Sequence, residues 1–184
     1  MRSIEEIYGG IRQRYAEGGV DETVSGIVSA MPQSPSIFGG RMANYLENKL
    51  IDFIFRGQNY VLPANLYIAL YSTPIRDDVD AEELSGEGYG RVVVPRTLFA
   101  WAGTQGQNSI ELSSGESGLT SNNVPIQFPV AKGEWGTALW WGILDAQTGG
   151  NMLYYGELLF PRTVYPGDMP ITFQPGDMAI WIDT

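Results

Sequence analysis

Two aspartates, Asp168 and Asp177, sit in two copies of Pro-Gly-Asp-Met that begin at Pro166 and Pro175. Hard cations such as calcium take carboxylate and carbonyl oxygens, so paired Asp-bearing turns raise metal binding first. An apolar run, Met169–Phe173, separates the two, and no D-x-D-x-D-G loop is present, which weighs against a calcium loop. Turn chemistry accounts for the repeat without a ligand. Pro-Gly fits the centre of a type II turn, where Pro fixes φ and Gly takes φ above zero. The following Asp accepts local backbone N–H groups. The expectation is two turns, each opening a terminal strand, with no metal and no other cofactor.

A second group of carboxylates fills DDVDAEELSGEGYG, residues 77–90. Glycoside hydrolysis needs two carboxyl groups set apart across a cleft. Here the acids crowd one polar loop, which reads as solvated and, from its length, as a contact loop. Its Gly-rich end, GEGYG, precedes an apolar run of strand character and not a helix, so it is no phosphate-binding turn. Arg91 and Arg96 flank RVVVP, and in an acidic protein they are expected to pair with carboxylates. Indoles form the third group: Trp135, Trp140 and Trp141 lie within EWGTALWWG. Indole faces stack on sugar rings, which makes these three the candidate sugar contacts. In a strand, however, Trp140 and Trp141 point to opposite sides, so packing in a core or subunit interface carries the greater weight.

Two absences bound the chemistry further. The 184 residues contain no Cys and no His. That excludes disulfides, thiolate nucleophiles, Cys/His zinc sites and the His-dependent triad. The formal charge of 11 − 21 = −10 argues against binding a phosphate backbone, because nothing supplies the counterion-release term. No apolar run approaches the ~20 residues of a membrane-spanning helix, and the N-terminal MRSIEEIYGG has no signal-peptide core. These readings give a protein without enzymatic activity, nucleic-acid partner or membrane partner, made in a cytoplasm.

The elements that must position these groups divide in two. Residues 1–41 read as a helical arm and linker. Ser3 and Glu6 form a capping box, and Ile4, Ile7, Tyr8, Ile11 and Tyr15 fall at helical spacing on one face. Gly9-Gly10 interrupts that helix at about 1 kcal/mol per Gly, so it needs a surface to lie on, and its apolar face is the candidate partner interface. Asp21 can cap a short second helix. PQSPSIFGG, residues 32–40, is the linker. Residues 42–184 read as one domain. A leading helix carries a stripe of Met42, Tyr45, Leu46, Leu50, Phe53 and Ile54, with Gly57 at its C-terminal end. Eight short apolar runs follow: 66–73, 91–99, 109–112, 124–128, 136–144, 152–160, 169–173 and 178–183. Short strands at this spacing with Gly- and Pro-rich turns predict an antiparallel β-sandwich or jelly-roll-like body behind a helical arm. Asp145 and Gly149-Gly150 predict the turn of its clearest hairpin. Pro95 and Pro125 predict edge or bulged positions.

One ordered set of these features resembles a family of small bacteriophage virion structural proteins, often labelled tail fibre or minor structural proteins. The set is FRG (55–57), LYIALYSTP (66–74), GYGRVVVPR (88–96), IQFPVAKGEWGTALWWGILDAQTGGNMLYYGEL (126–158) and the closing strand pair opened by Gly-Asp. The resemblance covers about residues 42–184 and leaves residues 1–41 outside. It implies a virion location, contact with other phage structural proteins, and a homo-oligomer or ring; it carries over no catalytic or ligand residues. The reading is a fibre- or baseplate-associated assembly module attached through its N-terminal arm. The alternatives are a module binding host surface glycan, a capsid decoration protein and, last, a depolymerase.

Overall fold

The computed structural model describes residues 40–76, 81–114 and 118–182. The arm face of Ile4, Ile7, Tyr8, Ile11 and Tyr15 lies outside these residues, as do the predicted helices that precede residue 40. The described part is mainly β, with nine strands in antiparallel sheets and one helix.

The chain enters at β1 (Arg41–Met42) and turns into helix α1 (Asn44–Phe55). No side chain caps that helix. Ala43 holds the cap position in an extended conformation, and its N–H donates to Leu153 O at 2.9 Å, so the helix start is fixed by the neighbouring strand. Six strands then build the body: β2 (Asn65–Tyr71), β3 (Val92–Pro95), β4 (Leu119–Ser121), β5 (Ile126–Gln127), β6 (Gly136–Leu144) and β7 (Met152–Val164). Two short strands, β8 (Thr172–Phe173) and β9 (Ala179–Trp181), close it. Five strands form one sheet in the order β1-β7-β6-β2-β3, while β4 pairs with β9 and β5 with β8 as separate ribbons.

Strand β6 sits between β7 and β2, so both its backbone edges are paired. A strand covered on both faces reads as a continuous apolar run, which is what GTALWWGIL is. Its two faces feed two apolar clusters. Ile68, Leu70, Trp141 and Ile143 face the larger one, where they meet Leu46 of α1, Ile126 and Phe173 of one ribbon, and Ile180 of the other. Ala69, Tyr71, Leu144 and Tyr155 face the smaller cluster with Ile75 and the edge of Trp140. The sheet with the ribbons packed on it gives the sandwich-like arrangement.

Trp141 is 0% exposed and demands close backbone approach. A Cβ on Gly156 would lie 2.6 Å from the indole, and one on Gly40 would lie 2.5 Å from it. Gly40 also bridges Ile180 in parallel, which links the start of the body to its last strand.

Several local expectations need correction. The run 109–112 makes no strand, and Ile110 and Leu112 are exposed, because no neighbouring strand offers them a ladder. Within 91–99 only Val92–Pro95 pairs, at the sheet edge beside β2, and a turn takes over at Thr97. Strands β1 and β4 carry no sequence pattern of their own and exist through their partners β7 and β9. The helical stripe also ends early. Leu46 is buried, and Met42, Tyr45 and Leu50 pack against the core. Phe53 and Ile54 are instead 52% and 61% exposed, because the helix has left the body by its last turn. Every residue from 53 to 59 is exposed there.

The turns follow their sequence chemistry. Gly167 and Gly176 take φ of 80° and 89°, and Asp168 N–H and Asp177 N–H donate back to Tyr165 O and Gln174 O. Each Asp carboxylate then accepts the N–H of the first turn residue, Tyr165 at 3.0 Å and Gln174 at 2.6 Å. In the β6–β7 hairpin, Asp145 Oδ1 accepts from Asn151 N at 2.6 Å, and Gly149 and Gly150 take positive φ.

Candidate functional site

A cleft of about 380 Å³ opens beside the start of α1, lined among others by Tyr45, Tyr71, Arg76, Glu83, Met152 and Tyr155. Its wall is a junction of three segments built on Arg91. The guanidinium donates to both oxygens of Glu83, from Nε at 2.9 Å and from Nη2 at 2.7 Å. Its Nη1 reaches the β6–β7 hairpin, donating to Ala146 O at 2.7 Å and Gly149 O at 2.8 Å. This fork-to-fork geometry suits Arg and not Lys. The acidic segment is stitched to β2 at the same place: Ser72 N donates to Glu82 O and Leu84 N donates to Leu70 O.

The groups around this junction are occupied with structure. Tyr89 donates its hydroxyl to Glu83 Oε1 at 3.0 Å and accepts from Leu70 N–H at 3.1 Å. Burial pushes the Tyr89 phenol well above its ordinary value; the Leu70 N–H opposes this and the Glu83 charge adds to it. Burial also raises Tyr71, again with Glu83 contributing. Phenols raised in this way stay neutral near neutral pH, and Tyr89 acts as a donor to Glu83. The Arg91 guanidinium is held charged, chiefly by its hydrogen bonds to Glu83. A carboxylate whose two oxygens both accept from a guanidinium is not a free general base.

The three indoles go to different places. Trp135 is buried, its Nε1 donating to Glu87 O at 3.1 Å and its ring edge-on to Tyr89 at 5.2 Å. Trp141 shares that larger core. Trp140 is half-buried on the other face of the sheet, tilted against Tyr155 at 6.4 Å. Asp168 and Asp177 hold their own turns, and among the described residues no group of three or more acidic side chains could hold a metal ion. Of the two arginines expected to find carboxylates, Arg91 does. Arg96 is a correction: it donates to the carbonyls of Pro63 at 2.9 Å and Leu62 at 3.1 Å, because a loop backbone lies where an acid was expected.

Sequence reasoning overlooked Asn122, the buried polar residue of the described core. Its Nδ2 donates to Val124 O and Gln174 O, both at 2.9 Å, and its Oδ1 accepts from Met178 N at 2.9 Å. Its backbone carbonyl accepts from Gly176 N at 2.7 Å. An Asn after an unpatterned Thr-Ser gives no signal of this role. No described helix is long and apolar enough to cross a membrane.

Around Arg91 the arrangement is a scaffold of hydrogen-bonded polar groups, while Trp141 Nε1 is buried without a hydrogen-bond partner. Residues 41–180 match the family described as Gp80, podophage GP4 fiber I protein gp80. The chain belongs to this podophage fibre protein family. The match begins at β1 and ends inside β9, so it takes in the whole sheet, both ribbons and the Arg91 junction. Its role is that of a virion structural protein, in contact with other structural proteins of the particle. No curated protein matches the chain.

Proposed function

We propose that this fibre protein is a non-enzymatic attachment module, in which residues 1–39 join the body to a neighbouring virion protein. The observation that carries the reading is the family match, which accounts for residues 41–180 as the body and leaves the preceding residues outside it. The helical spacing of Ile4, Ile7, Tyr8, Ile11 and Tyr15 in the sequence supports this reading, since a short helix interrupted by Gly-Gly would be marginal in water without a partner. A segment that orders on its partner contributes affinity at that moment. The body supports the non-enzymatic part of the reading through Glu83, Tyr71 and Tyr89, whose polar atoms or protonation states are committed to the fold.

The test is a chain lacking residues 1–39, which keeps β1 and its pairing to β7. Its circular dichroism and melting should match those of the full chain, while blots of purified particles should show it missing. Normal incorporation of the shortened chain would refute the attachment role. Gold-labelled antibody against the full protein should mark the tail; label spread over the head would favour a decoration protein.

A further inference from the structure

The cleft beside α1 holds polar groups that the fold leaves open. Tyr71 lines it and is only 5% exposed, yet its hydroxyl makes no hydrogen bond among the described residues. Buried hydroxyls are nearly always paired. The Tyr60 hydroxyl, also without a partner, is sealed in protein, whereas the Tyr71 oxygen keeps contact with the cleft. Burial and the nearby Glu83 charge keep this phenol protonated, so it can donate as well as accept.

Glu83 has capacity left beside it. Its Oε1 accepts from Arg91 Nε and from the Tyr89 hydroxyl, while its Oε2 accepts from Arg91 Nη2 alone. An ionised carboxylate offers about four acceptor sites, and the Glu83 side chain keeps 26% of its surface exposed. Arg76 completes the set. It is exposed at the cleft and makes no hydrogen bond or ion pair among the described residues.

These groups select the ligand by their chemistry. A phenol that gives and takes, a carboxylate that takes and a guanidinium that gives together match hydroxyl groups. An anion would meet the Glu83 carboxylate, in a chain of net charge −10 where Asp77 follows Arg76. A cation would meet two guanidiniums. The remaining wall is apolar, with Ile75, Met152 and the half-buried Tyr45 ring. An aromatic ring presents a flat apolar face, which suits the C–H side of a pyranose. The volume of about 380 Å³ lies within the range of small-ligand pockets.

We propose that this cleft binds a neutral pyranose unit of a glycan, its hydroxyls on Tyr71, Glu83 Oε2 and Arg76 and its apolar side on Tyr45. The site uses none of the three indoles singled out in the sequence. It goes beyond the attachment role assigned above, and purified full-length chain reports on it without any particle.

The test is saturation-transfer NMR on the full chain with the methyl pyranosides of glucose, galactose and mannose, and with methyl glucuronide as the charged comparison. At least one neutral glycoside should receive saturation, and the glucuronide should not. Tyr71→Phe removes only an oxygen without a partner in the fold, so it should melt with the parent chain and bind about tenfold more weakly. Arg76→Ala, at an exposed position, should also weaken binding. Tyr165→Phe, outside the cleft, should bind as the parent does. No transfer to any neutral glycoside, a preference for the glucuronide, or binding unchanged by Tyr71→Phe would each overturn the proposal. So would a lowered melting temperature for Tyr71→Phe, which would show its hydroxyl already spent in the fold.

Discussion

The two Pro-Gly-Asp-Met turns have the same four residues and the same internal hydrogen bonds, yet they end in opposite environments. After the first turn Met169 is 78% exposed; after the second Met178 is 0% exposed. Gly167 N–H donates to Ala131 O, whereas Gly176 N–H donates to the carbonyl of Asn122, whose side chain also holds Met178 N and Gln174 O. Gln107 closes the second turn from outside by donating to Pro175 O at 2.7 Å. Turn geometry is thus written in the tetrapeptide, while burial is decided by what the rest of the chain brings to it.

The largest effect should come from the methionines. Met178→Ala empties a core position and should cost about 2–5 kcal/mol. Met169→Ala removes exposed surface and should change stability by less than about 0.5 kcal/mol. Urea unfolding of both variants measures the contrast, and equal losses would break it. Asn122→Ala comes next, at about 3 kcal/mol, because it strips partners from Met178 N–H and two carbonyls. In hydrogen exchange the second turn and β9 should open with it, while the first turn keeps its protection. Smallest is the glycine pair. Ala at either site costs about 1–2 kcal/mol for holding positive φ. Gly176→Ala should cost about 1 kcal/mol more than Gly167→Ala, since its Cβ would press on Gln107 at 3.0 Å and disturb that side chain's bond to Pro175. At Gly167 nothing lies within 4 Å.

The same division explains what was legible in the sequence. The class of fold, the span of β6 and the hairpin at Asp145 were readable because each rests on local signals: a continuous apolar run, turn residues, positive-φ glycines. The strand at 119–121 was not, because Leu-Thr-Ser has no period and becomes a strand only by meeting β9 from the far end of the chain. At 109–112 the error ran the other way: Ile110 and Leu112 have strand character and no partner. For Arg91 the partner's chemistry was readable, but its bond to a hairpin 55 residues away depends on topology. Helix α1 shows the limit of periodicity. Its spacing placed Phe53 and Ile54 with Leu46 and Leu50, and only the point where the helix leaves the body separates them.

The parallel bridge between Gly40 and Ile180 has a consequence for how the body is held closed. Neighbouring strands run about 5 Å apart, so the two places where the chain joins the body are one strand spacing apart. Because the bridge is parallel, the two stretches run in the same direction past each other, Gly40 leading into β1 beside Ile180 within β9. The contact therefore acts as a clasp that ties the opening residue of the described body to its last strand.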